Sequence, residues 1–326
     1  MTILVTGSAG RVGTAVIKQL LERGETVRGF DLRAANQSDK AYCEVIGAFD
    51  DKVKCEEAVS GVSAVVHLGA FMSWKAEDRD RLFSANVDGT RRLLDAASSA
   101  AVGRFVFASS GEVYPENVPD FLPVTEQHPF KANSVYGLTK LLGEDLVRFE
   151  GRTSKMETVI LRFSHTQDAT ELLDPDSFFS GPRFFLRPRI RQQEGVGNNA
   201  VVALLRAADP GSEAHILARN ENGRPFQMHI TDTRDMVQGI LLALDHPSAA
   251  GQAFNLGATE PVDFVALLNE MAKVTGLPVV TVDLPGSGVW YRTSNEKIRK
   301  TLGFEPVWTI DRMLADAAEA WRRRAT

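Results

Sequence analysis

Tyr136 and Lys140 stand four residues apart in the run YGLTK. On a helix, residues i and i+4 share a face, so the lysine ammonium can lie near the phenol. A nearby positive charge favours phenolate over phenol. A tyrosine with an ordinary pKa of about 10 can then act as acid or base near neutral pH. Beside a dinucleotide, such a pair can move a hydride and a proton on an alcohol or ketone.

The elements that must position this pair begin at the N-terminus. TILVT (2–6) is a short apolar strand-like run, GSAGRVG follows, and AVIKQLLERG has helical periodicity. Gly7, Gly10 and Gly13 keep a G-x-x-G-x-x-G spacing. Glycines there permit a tight turn and close approach of backbone to a pyrophosphate resting on a helix N-terminus. The next strand-like run, TVRGF, leads to Asp31. An acid at this point accepts hydrogen bonds from ribose hydroxyls and repels a 2′-phosphate, which favours NAD over NADP. Arg33, two residues on, could accommodate a 2′-phosphate or be a solvated loop residue; it is kept among the cofactor neighbours. Further strand-like runs at 44–46, 64–68, 104–108 and 158–161 alternate with helical stretches that include 88–100 and 136–150. That alternation predicts βαβ units and a doubly wound parallel sheet, with ligands outside the carboxyl ends of its strands.

Composition narrows the class. With 326 residues, the chain has room for one large α/β domain or a main domain plus a smaller one. A formal net charge of −5 argues against nucleic acid as the main partner. Cys43 and Cys55 lack metal-ligand spacing and read as free thiols in a reducing compartment, and no metal site is expected. MTILVTG runs directly into a strand without a basic leader, and no apolar run approaches the roughly 20 residues of a membrane span. The expectation is a cytoplasmic protein without a membrane partner.

Several spaced motifs together resemble the extended short-chain dehydrogenase/reductases, the branch holding NAD-dependent sugar epimerases and dehydratases. They are TGSAGRVG, Asp31, HLGA (67–70), NVDGT (86–90), ASSGEVY (108–114), YGLTK, LRF (161–163), HITDTRDMV (229–237) and LGFEP (302–306). The resemblance implies a Rossmann domain over 1–164, rejoined by 229–256. A smaller C-terminal α/β substrate domain would comprise 165–228 and 257–326. It implies that Ser110 holds the substrate oxygen, Tyr136 exchanges its proton, and Lys140 lowers the tyrosine pKa and meets the nicotinamide ribose. It places Arg11, Val12, Leu68, Gly69, Ala70, Asn86, Ser109, Phe163 and His165 along the cofactor. Asn86 could also be a helix N-cap, and His165 a satisfied loop histidine. It also implies a homodimer built on the helices near 88–100 and 136–150.

Departures from the family pattern bear on the reaction. Ala48-Phe49 replaces the usual acid-plus-aliphatic pair that frames adenine, with Phe49 still able to pack on the ring, and Gly69 replaces the usual alanine. Glu112 matches a glutamate that dehydratases use to abstract a proton next to a ketone, but Gly111 stands where they carry an acid. Glu112 could equally be a solvent-facing carboxylate. Epimerisation or simple oxidation needs no second acid. After LRF the chain reads SHTQDATELL instead of a nucleotide-sugar-holding turn, which shifts the expected substrate toward a free sugar, sugar acid or polyol. Arg183, Arg187, Arg189 and Arg191 could bind a carboxylate or phosphate, so the small-molecule sugar-like substrate could be anionic; alternatively they bridge domains. Asp232 reads as an N-cap, Thr233 or Arg234 could reach substrate, and Arg292 and Asn295 fall where the family closes its cleft. The terminal WRRR (321–324) reads as a solvated helix end.

Overall fold

Strands in the computed structural model, which describes residues 1–325 with side chains through Arg323, follow the apolar runs of the sequence closely. They are β1 (Thr2–Thr6), β2 (Thr26–Asp31), β3 (Tyr42–Ile46), β4 (Ala64–His67), β5 (Arg104–Ser110), β6 (Glu157–Phe163), β7 (His165–Gln167), β8 (His215–Arg219), β9 (Ile230–Asp232), β10 (Ala253–Leu256) and β11 (Val279–Asp283). Seven form one sheet in the order β10-β6-β5-β4-β1-β2-β3, every neighbour parallel. The order reverses between β1 and β4, which opens a crevice above the carboxyl ends of those strands.

Both faces of this sheet are buried, so its strands carry near-continuous apolar runs. Ile3 and Val5 of β1 face one core with Val66 and Val106, against the helices Arg11–Glu22 and Thr233–Asp245. Leu4, Val65, Phe105 and Phe107 face a second core, against the helices Lys52–Val59, Gly89–Ser99 and Val135–Thr153. A fully buried side chain of this size contributes about 1.5–3 kcal/mol.

The remaining strands make two small parallel pairs, β8 with β11 and β7 with β9. Around them lie the short helix Ser180–Phe184, the helices Leu186–Gly195, Asn199–Ala207 and Phe264–Thr275, and separate apolar clusters centred on Phe184, Phe185 and Ile216. This smaller α/β lobe faces the crevice of the large sheet. Asp232 caps its helix as expected, accepting from the Arg234 amide at 2.8 Å. Cys43 and Cys55 are free thiols. Among the described residues no helix is long and apolar enough to cross a membrane, and no cluster of metal-ligating side chains occurs.

Candidate active site

The turn after β1 fits a pyrophosphate. Gly7 has φ +67°, and a methyl on Gly13 would sit 2.0 Å from the Gly7 carbonyl oxygen, so neither position tolerates a side chain. The helix Arg11–Glu22 begins at Gly10 with no side chain capping its amides, which leaves them for an anion. Asp31, ending β2, accepts from the amides of Ala9 and Arg33 at 3.2 Å each, which fixes its carboxylate beside that turn. Arg33 itself is exposed.

Phe49 and Gly69 explain one another. The Phe49 ring packs edge-on against Phe30 and His67, and a methyl on Gly69 would lie 2.2 Å from its Cζ. The phenylalanine therefore fills the space that an alanine at 69 would need. Ala70 follows in the loop leaving β4.

Between the sheet crevice and the smaller lobe lies a cavity of about 640 Å³. It is lined by Ser109, Ser110, Glu112, Tyr136 and Lys140, by Arg11, Val12 and Leu68 from the glycine-turn side, and by Phe163 and His165 from the end of β6 and β7. The helix Val135–Thr153 carries Tyr136 and Lys140 and starts at Ser134, whose Oγ accepts from the Gly137 amide at 2.9 Å. A methyl on Gly137 would lie 2.3 Å from the Glu112 carbonyl, so this glycine lets the Gly111–Val113 turn press against the helix start. That contact places Ser110 and Glu112 beside Tyr136. Ser134 Oγ also donates to Glu112 Oε2 at 2.5 Å, and Trp74 is a second hydrogen-bond partner of this carboxylate. Glu112 is thus a held cavity carboxylate, and the solvent-facing alternative is set aside.

Electrostatics in the cavity differ from expectation at the central pair. Lys140 Nζ lies 5.8 Å from the Tyr136 ring centroid and donates to the Ala108 carbonyl at 2.8 Å. Burial lowers its ammonium to about 8, against the opposing charge of Glu144. Burial first, and then the negative charge of Glu112, push the Tyr136 phenol well above its ordinary value. The expected lowering by Lys140 is corrected here: desolvation and a nearby carboxylate dominate, and the amine is turned to a backbone oxygen. Burial also raises Glu112, against its hydrogen bonds from Ser134 and Trp74. Glu116, on the same wall, is pushed up to about 8 by burial and the charge of Glu112, with Arg183 opposing.

Other expectations change on inspection of their partners. The Ser109 hydroxyl donates to Glu144 Oε1 at 2.6 Å, so its side chain is occupied within the protein. Burial opposes ionisation of Glu144, but hydrogen bonds from Arg162 and Ser109 and the charges of Arg162 and Arg148 outweigh it and hold its carboxyl below the usual range. Asn86 lies in a π-helical turn, Ser84–Asp88, and is not an N-cap. Its amide pairs with both backbone groups of Phe71 at 2.8 Å and with Thr139, which pins the loop after β4. Arg234 stacks on Trp308 and pairs with Asp232 and Asp316, outside the cavity. Thr233 is buried and also absent from the cavity wall. Arg292 and Asn295 line a separate hollow with Thr259 and Arg299, so they do not close this cleft. Of the four arginines at 183–191, Arg183 and Arg189 line the cavity while Arg187 and Arg191 are exposed. In WRRR, Trp321 packs on the smaller lobe, Arg322 and Arg323 are exposed, and the Arg324 side chain lies outside the described residues.

Three contributors escaped sequence reasoning. Trp74 and Phe178 stack at 6.1 Å across the cavity, from loops a hundred residues apart, with no local signal joining them. Glu116 follows Glu112 by four residues, but in an irregular loop where that spacing carries no meaning.

A family model described as the NAD dependent epimerase/dehydratase family matches residues 3–169. A crystal structure of a short-chain dehydrogenase/reductase superfamily protein from Agrobacterium tumefaciens with bound NAD is 69% identical, with a TM-score of 0.97 over 100% of this chain and 98% of that one. A UDP-glucose 4-epimerase from Erwinia amylovora is 29% identical over 85% of this chain and 83% of its own. A 3 beta-hydroxysteroid dehydrogenase/Delta 5→4-isomerase from Mycobacterium tuberculosis is 26% identical over 96% and 81%. A UDP-glucose 4-epimerase from Thermotoga maritima shares the fold at 22% identity, with a TM-score of 0.79.

Proposed function

Because the chain belongs to the NAD-dependent epimerase/dehydratase family, we propose that it exchanges a hydride at a hydroxyl-bearing carbon of a sugar-like substrate in this cavity. The observation that carries the reading is the convergence of Ser110, Tyr136 and Lys140 on one wall at the carboxyl end of β5. When bound, NAD⁺ supplies the hydride acceptor. The cofactor neighbours on this reading are the Gly7-Gly10-Gly13 turn, Arg11, Val12, Asp31, Arg33, Phe49, Leu68, Gly69, Ala70, Phe163 and His165. Asn86 acts through the loop that it pins, and Ser109 through its backbone.

Tyr136 takes the hydroxyl proton, and Ser110 donates a hydrogen bond to the oxygen as it becomes a carbonyl. The phenol has to lose its proton first, which its surroundings oppose. Lys140, one helical turn away on the same wall, brings a positive charge to the site once the cofactor is bound. Glu112, held by Ser134 and Trp74, takes a proton from the carbon next to a ketone on this reading. That position favours a redox-neutral epimerase. The second reading is a dehydrogenase of a free sugar, sugar acid or polyol, and it draws on the departure from the family's nucleotide-sugar turn at 164–173.

On the same reading, residues 1–164 with 229–256 bind the cofactor, while 165–228 and 257–326 bind substrate. The protein is a cytoplasmic homodimer joined through the helices Gly89–Ser99 and Val135–Thr153, where the exposed Phe149 continues a stripe from half-buried Leu138 and Leu142. Sedimentation of wild type against Phe149→Glu tests the dimer; a monomeric wild type refutes it. The reaction is tested by incubating purified protein and NAD⁺ with sugars, sugar acids and nucleotide sugars. NADH and product stereochemistry are followed together. An epimerase inverts a centre without accumulating NADH, a dehydrogenase forms NADH in proportion to substrate, and neither change across the panel refutes hydride exchange.

A further inference from the structure

Among the described residues, neither Arg183 nor Arg189 has a carboxylate in ion-pair contact, and each keeps a buried donor without a partner. Arg183 Nη2 approaches His165 Nδ1 at 3.3 Å, and its Nη1 is buried with no partner. Arg189 Nη1 donates to the Pro182 carbonyl at 3.3 Å, and its Nε is buried with no partner. The His165 ring cannot compensate, because burial and the charges of Arg183 and Arg11 keep it neutral. Glu116 is the acid nearest to Arg183 in charge interaction, and its raised pKa of about 8 leaves it largely protonated at neutral pH. Burial and mutual repulsion depress Arg183, and burial depresses Arg189, each to about 10; both remain cationic at pH 7. Arg11, by contrast, is balanced by Glu171 at 2.6 Å and Asp168 at 3.6 Å.

Two desolvated guanidiniums on apolar walls cost stability unless something anionic joins them. Their cation-bearing carbons lie 5.9 Å from the Phe184 and Phe226 rings, which offer only weak compensation. Both guanidiniums line the cavity wall, and guanidinium donors pair bidentately with the two oxygens of a carboxylate. The adjoining wall of Phe178, Phe179, Phe226 and Val289 is apolar and adds no donor for the further oxygens of a diphosphate.

We propose that Arg183 and Arg189 form the subsite for a substrate carboxylate, so the molecule that meets Tyr136 is a sugar acid and neither a neutral sugar nor a nucleotide sugar. This rests on the reading of the cavity as the site of hydride exchange. The carboxylate anchors one end of the substrate on the smaller lobe and presents a hydroxyl carbon to Ser110 and Tyr136.

Calorimetry on NAD-loaded Tyr136→Phe protein separates binding from turnover. The probes are D-glucuronate, D-galacturonate and D-gluconate, against D-glucose, D-galactose, glucose 6-phosphate and UDP-glucose. At least one acid should bind tenfold or more tightly than its neutral counterpart. Arg189→Met should abolish that preference with NAD affinity unchanged, while Arg189→Lys retains part of it. Equal or tighter binding of a neutral sugar, sugar phosphate or nucleotide sugar overturns the proposal, as does failure of every acid to bind or a preference that survives Arg189→Met. Wild-type protein that binds acids but turns over nothing removes the hydride-exchange reading and leaves the subsite. Turnover confined to neutral or nucleotide sugars does the reverse.

Discussion

Lys140 Nζ lies 5.8 Å from the centre of the Tyr136 ring, yet its hydrogen bond goes to the Ala108 carbonyl at 2.8 Å. The amine is therefore near enough to stabilise a phenolate through space without holding the phenol oxygen. At such a separation in a partly desolvated site, Coulomb attraction amounts to a few kcal/mol. Burial and the charge of Glu112 nonetheless dominate and keep the phenol above its ordinary value.

Tyr136→Phe should lower turnover by about 10²–10⁴-fold, the usual contribution of a positioned acid–base group. NAD affinity should change little, because only the hydroxyl is removed. Lys140→Met should lower turnover similarly and weaken NAD binding as well. Steady-state kinetics with NAD titration separates the two variants, and near wild-type turnover in Tyr136→Phe removes the tyrosine from the mechanism.

Much of this arrangement could be read from the chain because it is local. The i, i+4 spacing of Tyr136 and Lys140, the glycine turn before Arg11 and the acid closing β2 each sit within one element or one connection. What could not be read is mostly set by tertiary contact. The direction of the Tyr136 shift depends on burial and on Glu112, which is brought in by Ser134 and Gly137. The commitment of Ser109 depends on Glu144, thirty-five residues away. Arg234 and Arg292 had suitable chemistry, but Trp308 with Asp316 and the separate hollow at Thr259 drew them off.

Trp74 supplies a pH test of Glu112. Burial raises the Glu112 carboxyl, and the hydrogen bond from Trp74 partly restrains that rise. If Glu112 is the base, activity falls as pH drops through its pKa. Trp74→Phe keeps an aromatic ring against Phe178 but removes the indole donor, so the acid limb of the kcat/KM profile should move to higher pH. An unmoved limb means that Glu112 does not titrate in the rate-limiting chemistry.

Glu116 makes the opposite kind of claim, about stability. Its folded pKa of about 8 stands above its ordinary value of 4.5. Between those values the unfolded chain has released a proton that the folded chain retains, so this group's contribution to stability falls as pH rises from 4.5 to 8. Glu116→Gln removes the titrating group. Its melting temperature should exceed that of wild type at pH 8, with the gap closing toward pH 4.5. Thermal denaturation at the two pH values measures it, and an equal gap at both contradicts the raised pKa.

Phe49 and Gly69 should behave as a coupled pair. The methyl of Gly69→Ala would lie 2.2 Å from Phe49 Cζ and 2.5 Å from Cε2, while the ring is confined by Phe30 and His67. The substitution forces that ring or the loop after β4 to shift, at a cost of about 1–3 kcal/mol. Phe49→Leu alone should also destabilise the fold by leaving space beside Gly69. Combined, the added methyl occupies part of that space, and the double variant should be more stable than the sum of the two losses allows. A double-mutant cycle by urea denaturation measures the coupling. Strict additivity would mean that the glycine at 69 answers to something other than the Phe49 ring.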